Sequence, residues 1–206
     1  MSASYPVHYA VDRPPRFTRL QLLIRIVAFC ALGLLGLSFG TVFMCAYLAL
    51  PVVAAVRVSA RTADAYVRDD GPYVIRALRW FAAVCAWAGL ITETLPSRTP
   101  EETVRLELDA DSHPTPTPSS AMSRLVTGIP SACVLAILCW VGAFVWLWAA
   151  LSILFVQRVG PGAFDFLVGL QRWSIRLLAY QASLVDAYPP FALSDAPPAL
   201  PTARTA

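Results

Sequence analysis

The chain contains no lysine, no Cys-x-x-Cys pair and only two histidines, His8 and His113, each in or beside an extended polar segment. Ser-His-Asp spacings, a His-Glu-x-x-His helix and a glycine-rich phosphate loop are also absent, and Gly160-Pro161-Gly162 reads as a turn. Catalysis needs a nucleophile and base, or a metal cluster, within mutual reach. The expectation is therefore a protein that is not an enzyme, with no catalytic residue, no cofactor and no metal ligand. Cys30, Cys45, Cys85, Cys133 and Cys139 all lie in hydrophobic surroundings, which suits inert packing. Sixteen arginines against 13 acidic residues give a net charge of only +3, with no run interleaving arginine and aromatic residues. That balance speaks against nucleic acid and makes anionic lipid headgroups the expected partners.

Charge is scarce because apolar residues make up 57% of the 206-residue chain. They concentrate in two blocks, Leu20–Val56 and Leu125–Val156, while the ends and centre are polar and proline-rich. Two such blocks exceed what a soluble domain of this size can bury, so an integral membrane protein is expected. The lead before the first block is long and polar, unlike a cleavable signal, so that block is expected to stay in the protein.

Between Arg124 and Arg158 lie 33 uncharged residues, which as one helix would reach roughly 50 Å against a hydrocarbon thickness of roughly 30 Å. One reading splits each block into a hairpin, at Trp140–Gly142 in the second and near Gly33, Gly36 and Gly40 in the first. The other readings are one long span per block, or partly re-entrant elements that do not fully cross. Hairpins place Arg13, Arg16, Arg19, Arg57, Arg61, Arg68, Arg98, Arg105, Arg124 and Arg158 on one side, which should be cytoplasmic. Arg25, inside the first arm, is expected to snorkel to that interface.

The same unit occurs twice. Arg79-Trp80 precedes Arg172-Trp173 by 93 residues, and the same offset relates Glu93 to Asp186, Pro96 to Pro189 and Trp87 to Tyr180. A short alternating stretch leads each unit, His8–Asp12 in the first and Val104–Asp109 in the second. The units run roughly over 5–97 and 103–191. The expected fold is an all-α integral membrane protein of two tandem pseudo-repeats, each a hydrophobic helical hairpin plus an amphipathic helix, with short strand-like leads. In domain terms, 1–97 is the first membrane repeat and 98–123 carries the second lead and a Pro/Thr linker around His113–Ser120. The membrane core of the second repeat follows at 124–191, and 192–206 is a flexible tail.

Phe166–Asp186 and Tyr73–Glu93 read as the amphipathic helices. Arg76, Arg79, Arg172 and Arg176 would reach lipid phosphate or a partner, with Trp80 and Trp173 setting depth at the interface. Glu93 and Asp186 close these helices, where a carboxylate opposes the helix dipole, so each is expected to pair with an arginine of a connector or of the other repeat. Pro189-Pro190 then stops the second helix.

Arg172-Trp173-Ser174-Ile175-Arg176-Leu177-Leu178-Ala179-Tyr180, followed by Leu184, Asp186 and Tyr188-Pro189-Pro190-Phe191, resembles the bacterial membrane family called domain of unknown function 4389. Phe164-Asp165-Phe166-Leu167-Val168-Gly169 matches its middle element. The resemblance is strong in the second repeat and faint in the first, where only Arg79-Trp80 survives, and Val159–Gly162 departs from the family's connector. It implies a small helical protein of the bacterial inner or plasma membrane, multi-pass with both termini cytoplasmic, and supplies no reaction. The expected function is a non-catalytic module that organises lipid or a partner membrane complex. The alternative is a small transporter or channel formed by the two repeats as a homo-oligomer.

Overall fold

The computed structural model describes residues 5–95, 103–109 and 114–194. Strand β1 (Val7–Ala10) leads into helices α1 (Arg19–Leu34) and α2 (Phe39–Ala60). A one-turn helix α3 (Ala63–Ala65) and a π-helical turn (Tyr66–Asp70) carry the chain into α4 (Gly71–Ala88). The second half repeats this order with β2 (Arg105–Leu108), α5 (Pro118–Thr127), α6 (Ile129–Val156) and α7 (Pro161–Gln181). In each half two helices thus precede an amphipathic one, behind a short strand; α1, α2 and α6 are apolar, whereas α5 is short and itself amphipathic. Helices α2 and α6 are each long and apolar enough to cross a membrane.

The duplication extends to backbone hydrogen bonds. At the end of α4 the N–H of Ile91 bonds to the carbonyl of Ala86 at 2.9 Å and that of Leu90 to Trp87 at 3.4 Å. At the end of α7, 93 residues on, Leu184 bonds to Ala179 at 3.1 Å and Ser183 to Tyr180 at 3.0 Å. Both are Schellman caps, and both place a non-glycine residue in the left-handed region, Leu90 at φ 59° and Ser183 at φ 57°. Each costs roughly 1 kcal/mol relative to glycine, which the surrounding fold must offset.

The strands pair antiparallel with Tyr9 opposite Leu106. Tyr9 and Leu106 lie 97 residues apart, four more than the offset that relates the helices, and a local pseudo-two-fold axis of the strand pair passes between them. Contacts on either side obey it. His8 pairs with Asp109 at 3.2 Å, and their equivalents Arg105 and Asp12 form the mirrored ion pair. Arg79 of α4 donates to the carbonyl of Leu106 at 3.0 Å, while Arg172 of α7 donates to Tyr9 at 3.2 Å. Each half therefore supplies the arginine that binds the other half's strand.

Helix α7 is the centre of the core. Its Arg172 and Arg176 reach β1, Gln171 donates to the carbonyl of Ala82 on α4, and its far face meets α6. Because α6 and α7 are joined by only Gln157–Gly160, they run antiparallel, with Gly128 against Gln181 and Gly142 against Leu170. The molecule is consequently layered: strands, then α4 and α7, then the apolar helices.

Several local expectations change. The first block turns at Leu35–Ser38, where Gly36 adopts φ +70°. In the second, the break is at Gly128, and α6 runs unbroken through Trp140–Gly142. There Gly142 lets Leu170 pack where a Cβ would collide, so it acts through close contact and not as a turn. Residues 118–120, read as linker, open α5: Pro118 occupies the first turn, where its missing N–H costs nothing, and Thr117 with Ser120 forms a capping box. Leu193, read as tail, accepts from Arg172 at 2.8 Å. The rest of that segment, 195–206, lies outside the described residues, as do His113, Pro96 and Arg98.

Candidate functional site

Apolar residues enclose the best-defined polar constellation, which occurs twice. Arg25, on the second turn of α1, is 1% exposed and donates to the carbonyl of Thr92 at 2.6 Å, just past the end of α4. Its guanidinium lies over the rings of Trp87, at 5.2 Å, and Phe17, at 5.9 Å. In the second half, Arg124 of α5 is 5% exposed and donates to the carbonyls of Tyr180, at 2.8 Å, and Val185. Its guanidinium lies 4.6 Å from the Tyr180 ring. Thr92 and Val185 are equivalents at the 93-residue offset, as are Trp87 and Tyr180. Each half thus uses an arginine from its first helix to cap the exit of its last, where orphan carbonyls and the dipole favour a cation. Arg25 does not snorkel to water, because these acceptors and rings meet it inside the fold.

The two helix-closing carboxylates belong to the same units. Asp186 receives Arg124 at 2.6 Å and the N–H of Thr115 at 3.3 Å. Its arginine comes from its own repeat. Glu93 accepts from the N–H and the hydroxyl of Thr18, at 2.8 and 2.6 Å. Thr18 is the N-cap of α1, so this carboxylate closes one helix while satisfying the positive start of another.

The six candidate contact residues separate by depth. Arg76 is exposed, Trp80 is 55% exposed and Arg79 is half-buried against β2. The α7 set faces inward: Trp173 is 3% exposed and stacks edge-on against Phe191 at 5.5 Å, and Arg172 holds Tyr9 and Leu193. Arg176 is 2% exposed, donates to the carbonyl of Val7 at 3.3 Å and lies over Tyr5 at 5.2 Å. Burial pushes the Tyr5 and Tyr9 hydroxyls well above their ordinary range, with Arg176 opposing the shift at Tyr5 and Arg172 at Tyr9. The Tyr-Pro-Pro-Phe exit folds back over α7: Tyr188 accepts from the hydroxyl and the N–H of Ser131 at 2.8 and 3.2 Å. It therefore acts as a cover for Trp173 and Tyr180.

The polar residues of α7 face strand carbonyls, which call for the same donors as lipid phosphate; an amphipathic pattern alone does not distinguish the two. Arg124 was legible only as a flanking charge. It lies 99 residues after Arg25, off the 93-residue offset, so the repeat did not single it out.

Among the described residues, no group of three or more His, Cys, Asp or Glu could hold a metal ion. Two apolar openings lie beside α6. One, of about 540 Å³, separates it from α2 along Phe43, Tyr47 and Leu135, and another, of about 240 Å³, reaches Gln171 and Ser174. The outward faces of α1, α2 and α6 carry exposed Leu, Val, Ile, Phe and Trp along their lengths, including Leu34, Trp140 and Phe144. Such a surface belongs in a membrane.

No curated protein and no solved structure shows significant similarity to the chain. Residues 118–192, spanning α5, α6, α7 and the folded-back exit, match the model of a domain of unknown function (DUF4389), so this half of the duplication is a recognisable membrane-associated domain whose biochemical role is unassigned.

Proposed function

We propose that the protein is a non-catalytic module that organises lipid, or a partner complex, at the bacterial inner or plasma membrane. The observation that carries this reading is the division of the molecule into an apolar helical layer and a polar strand layer. The first repeat, with its retained Arg79-Trp80, is a diverged copy of the same domain. Its exposed Arg76 and Trp80, with the half-buried Arg79, are the residues of the original six placed to meet lipid or a partner. Arg172, Trp173 and Arg176 support that surface from within. Both termini face the cytoplasm, on the side that holds the exposed arginines.

Co-flotation with vesicles of anionic or zwitterionic lipid tests this function. Wild-type protein should favour the anionic vesicles, and Arg76→Ala with Trp80→Ala should weaken that preference while leaving insertion intact. Equal binding to both vesicle types, with no protein partner on co-purification from native membranes, would remove the reading. Transport finds less support, because the openings beside α6 are lined mainly by apolar side chains.

A further inference from the structure

Length allows α2 and α6 to cross a bilayer, but the layering of the fold bears on how they sit in it. Helix α6 lies along the full length of α7, from Gly128 at Gln181, through Gly142 at Leu170, to the short connector before Pro161. Helix α7 in turn carries β1 at its mid-length, with Arg172 on Tyr9 and Arg176 on Val7. The strand pair is therefore level with the N-terminal half of α6, between the levels of Gly128 and Gly142, displaced sideways by two layers, about 20 Å. Its outer surface holds His8, Asp12, Arg105, Glu107 and Asp109, all solvent-facing or half-exposed. If α6 stood along the bilayer normal, these five ionisable groups would be drawn below the interface into the hydrocarbon.

Turning the molecule by a right angle removes the conflict. The geometry points to a protein seated in one leaflet: α6 lies in the membrane plane with its apolar face toward acyl chains, and the strand pair faces water. This deepens the membrane-module reading and rests on it. The α1–α2 turn becomes the deepest element. Leu34 is 89% exposed and Leu35 73% exposed, and a side chain at Gly33 or Gly36 would meet nothing within 4 Å. Charge agrees, since the exposed Arg57 and Arg61 flank one end of the apolar layer and Arg16, Arg19 and Arg158 the other. In this orientation both groups meet the same plane of lipid phosphates. The occupant of the apolar face is accordingly the acyl region of a single leaflet.

The test uses the full chain, freed of its native cysteines, in sealed vesicles of defined orientation. Ser123→Cys lies before α6 and Gly162→Cys after it, both exposed. A membrane-impermeant maleimide should label both from the same side. A second readout places nitroxides at Ile137, Phe144 and Phe155 on the outer face of α6; their depths should agree, within one leaflet. Labelling from opposite sides, or a profile deepest at Phe144 and shallow at both flanks, overturns the single-leaflet seat while preserving the membrane assignment. Protein recovered in solution without detergent or lipid removes the membrane reading itself.

Discussion

Helices α4 and α7 occupy equivalent places in the duplication, and they differ in how deeply the fold holds them. Fourteen of the 21 residues of α7 are buried, against six of the 18 in α4. Trp173 is sealed by Phe191, whereas Trp80, its equivalent, is more than half exposed. The arginine caps differ in the same direction. Arg124 engages two carbonyls and a carboxylate, while among the described residues Arg25 engages one carbonyl and its Nε meets no acceptor. Duplication has preserved the framework of caps, strand pairing and crossed arginines, and has concentrated the tightest packing in the second half. That half is also the one the family model matches. A shared framework with one looser copy fits the proposal that one half bears the stability and the other presents a surface.

The contrast can be broken or sharpened by substitution, read as thermal unfolding in detergent. Trp173→Ala should be the most damaging change, costing about 3–5 kcal/mol for a buried tryptophan, whereas Trp80→Ala should cost well under half as much. Comparable losses would mean that the two helices are equally embedded. Arg124→Met should follow at about 3 kcal/mol, the low end for breaking a buried pair because Asp186 stays half in water. Arg25→Met should cost about 1.5–3 kcal/mol, the range for a charged donor on a buried acceptor; a larger loss than at Arg124 would reverse the ranking of the halves. Arg105→Ala removes an exposed ion pair on the strand surface and should cost about 0.2–1 kcal/mol, diminishing further in salt.

Much of this architecture was legible because it rests on composition and offset. Two long apolar blocks, holding Arg25 as their one charge, pointed to a membrane, and the 93-residue spacing of Arg79-Trp80 and Arg172-Trp173 exposed the duplication. The strand leads followed from alternation. What escaped the sequence depended on partners distant along the chain. Gly142 carries the letter of a turn, yet its purpose is set by Leu170, which packs where its side chain would be. Leu90 and Ser183 end their helices in a conformation usually reserved for glycine, so neither announces a cap. Arg25 was expected at the interface because an isolated apolar helix offers a guanidinium no acceptor; the carbonyl of Thr92 and the ring of Trp87 arrive only with the fold. Asp186 was expected to pair with an arginine of a connector or of the other repeat; it meets Arg124 of its own repeat, which required α5 to begin at Pro118.

The account depends on the strand pair being wet while the helices beneath it are in lipid. Glu107, on the outer face of β2, reports on this directly when replaced by a single cysteine in membrane-embedded protein. The expected result is rapid reaction with an impermeant thiol reagent and, with a nitroxide attached, relaxation by a water-soluble paramagnet in preference to oxygen. A residue 107 that resists the reagent and relaxes with oxygen at acyl-chain depth would contradict it.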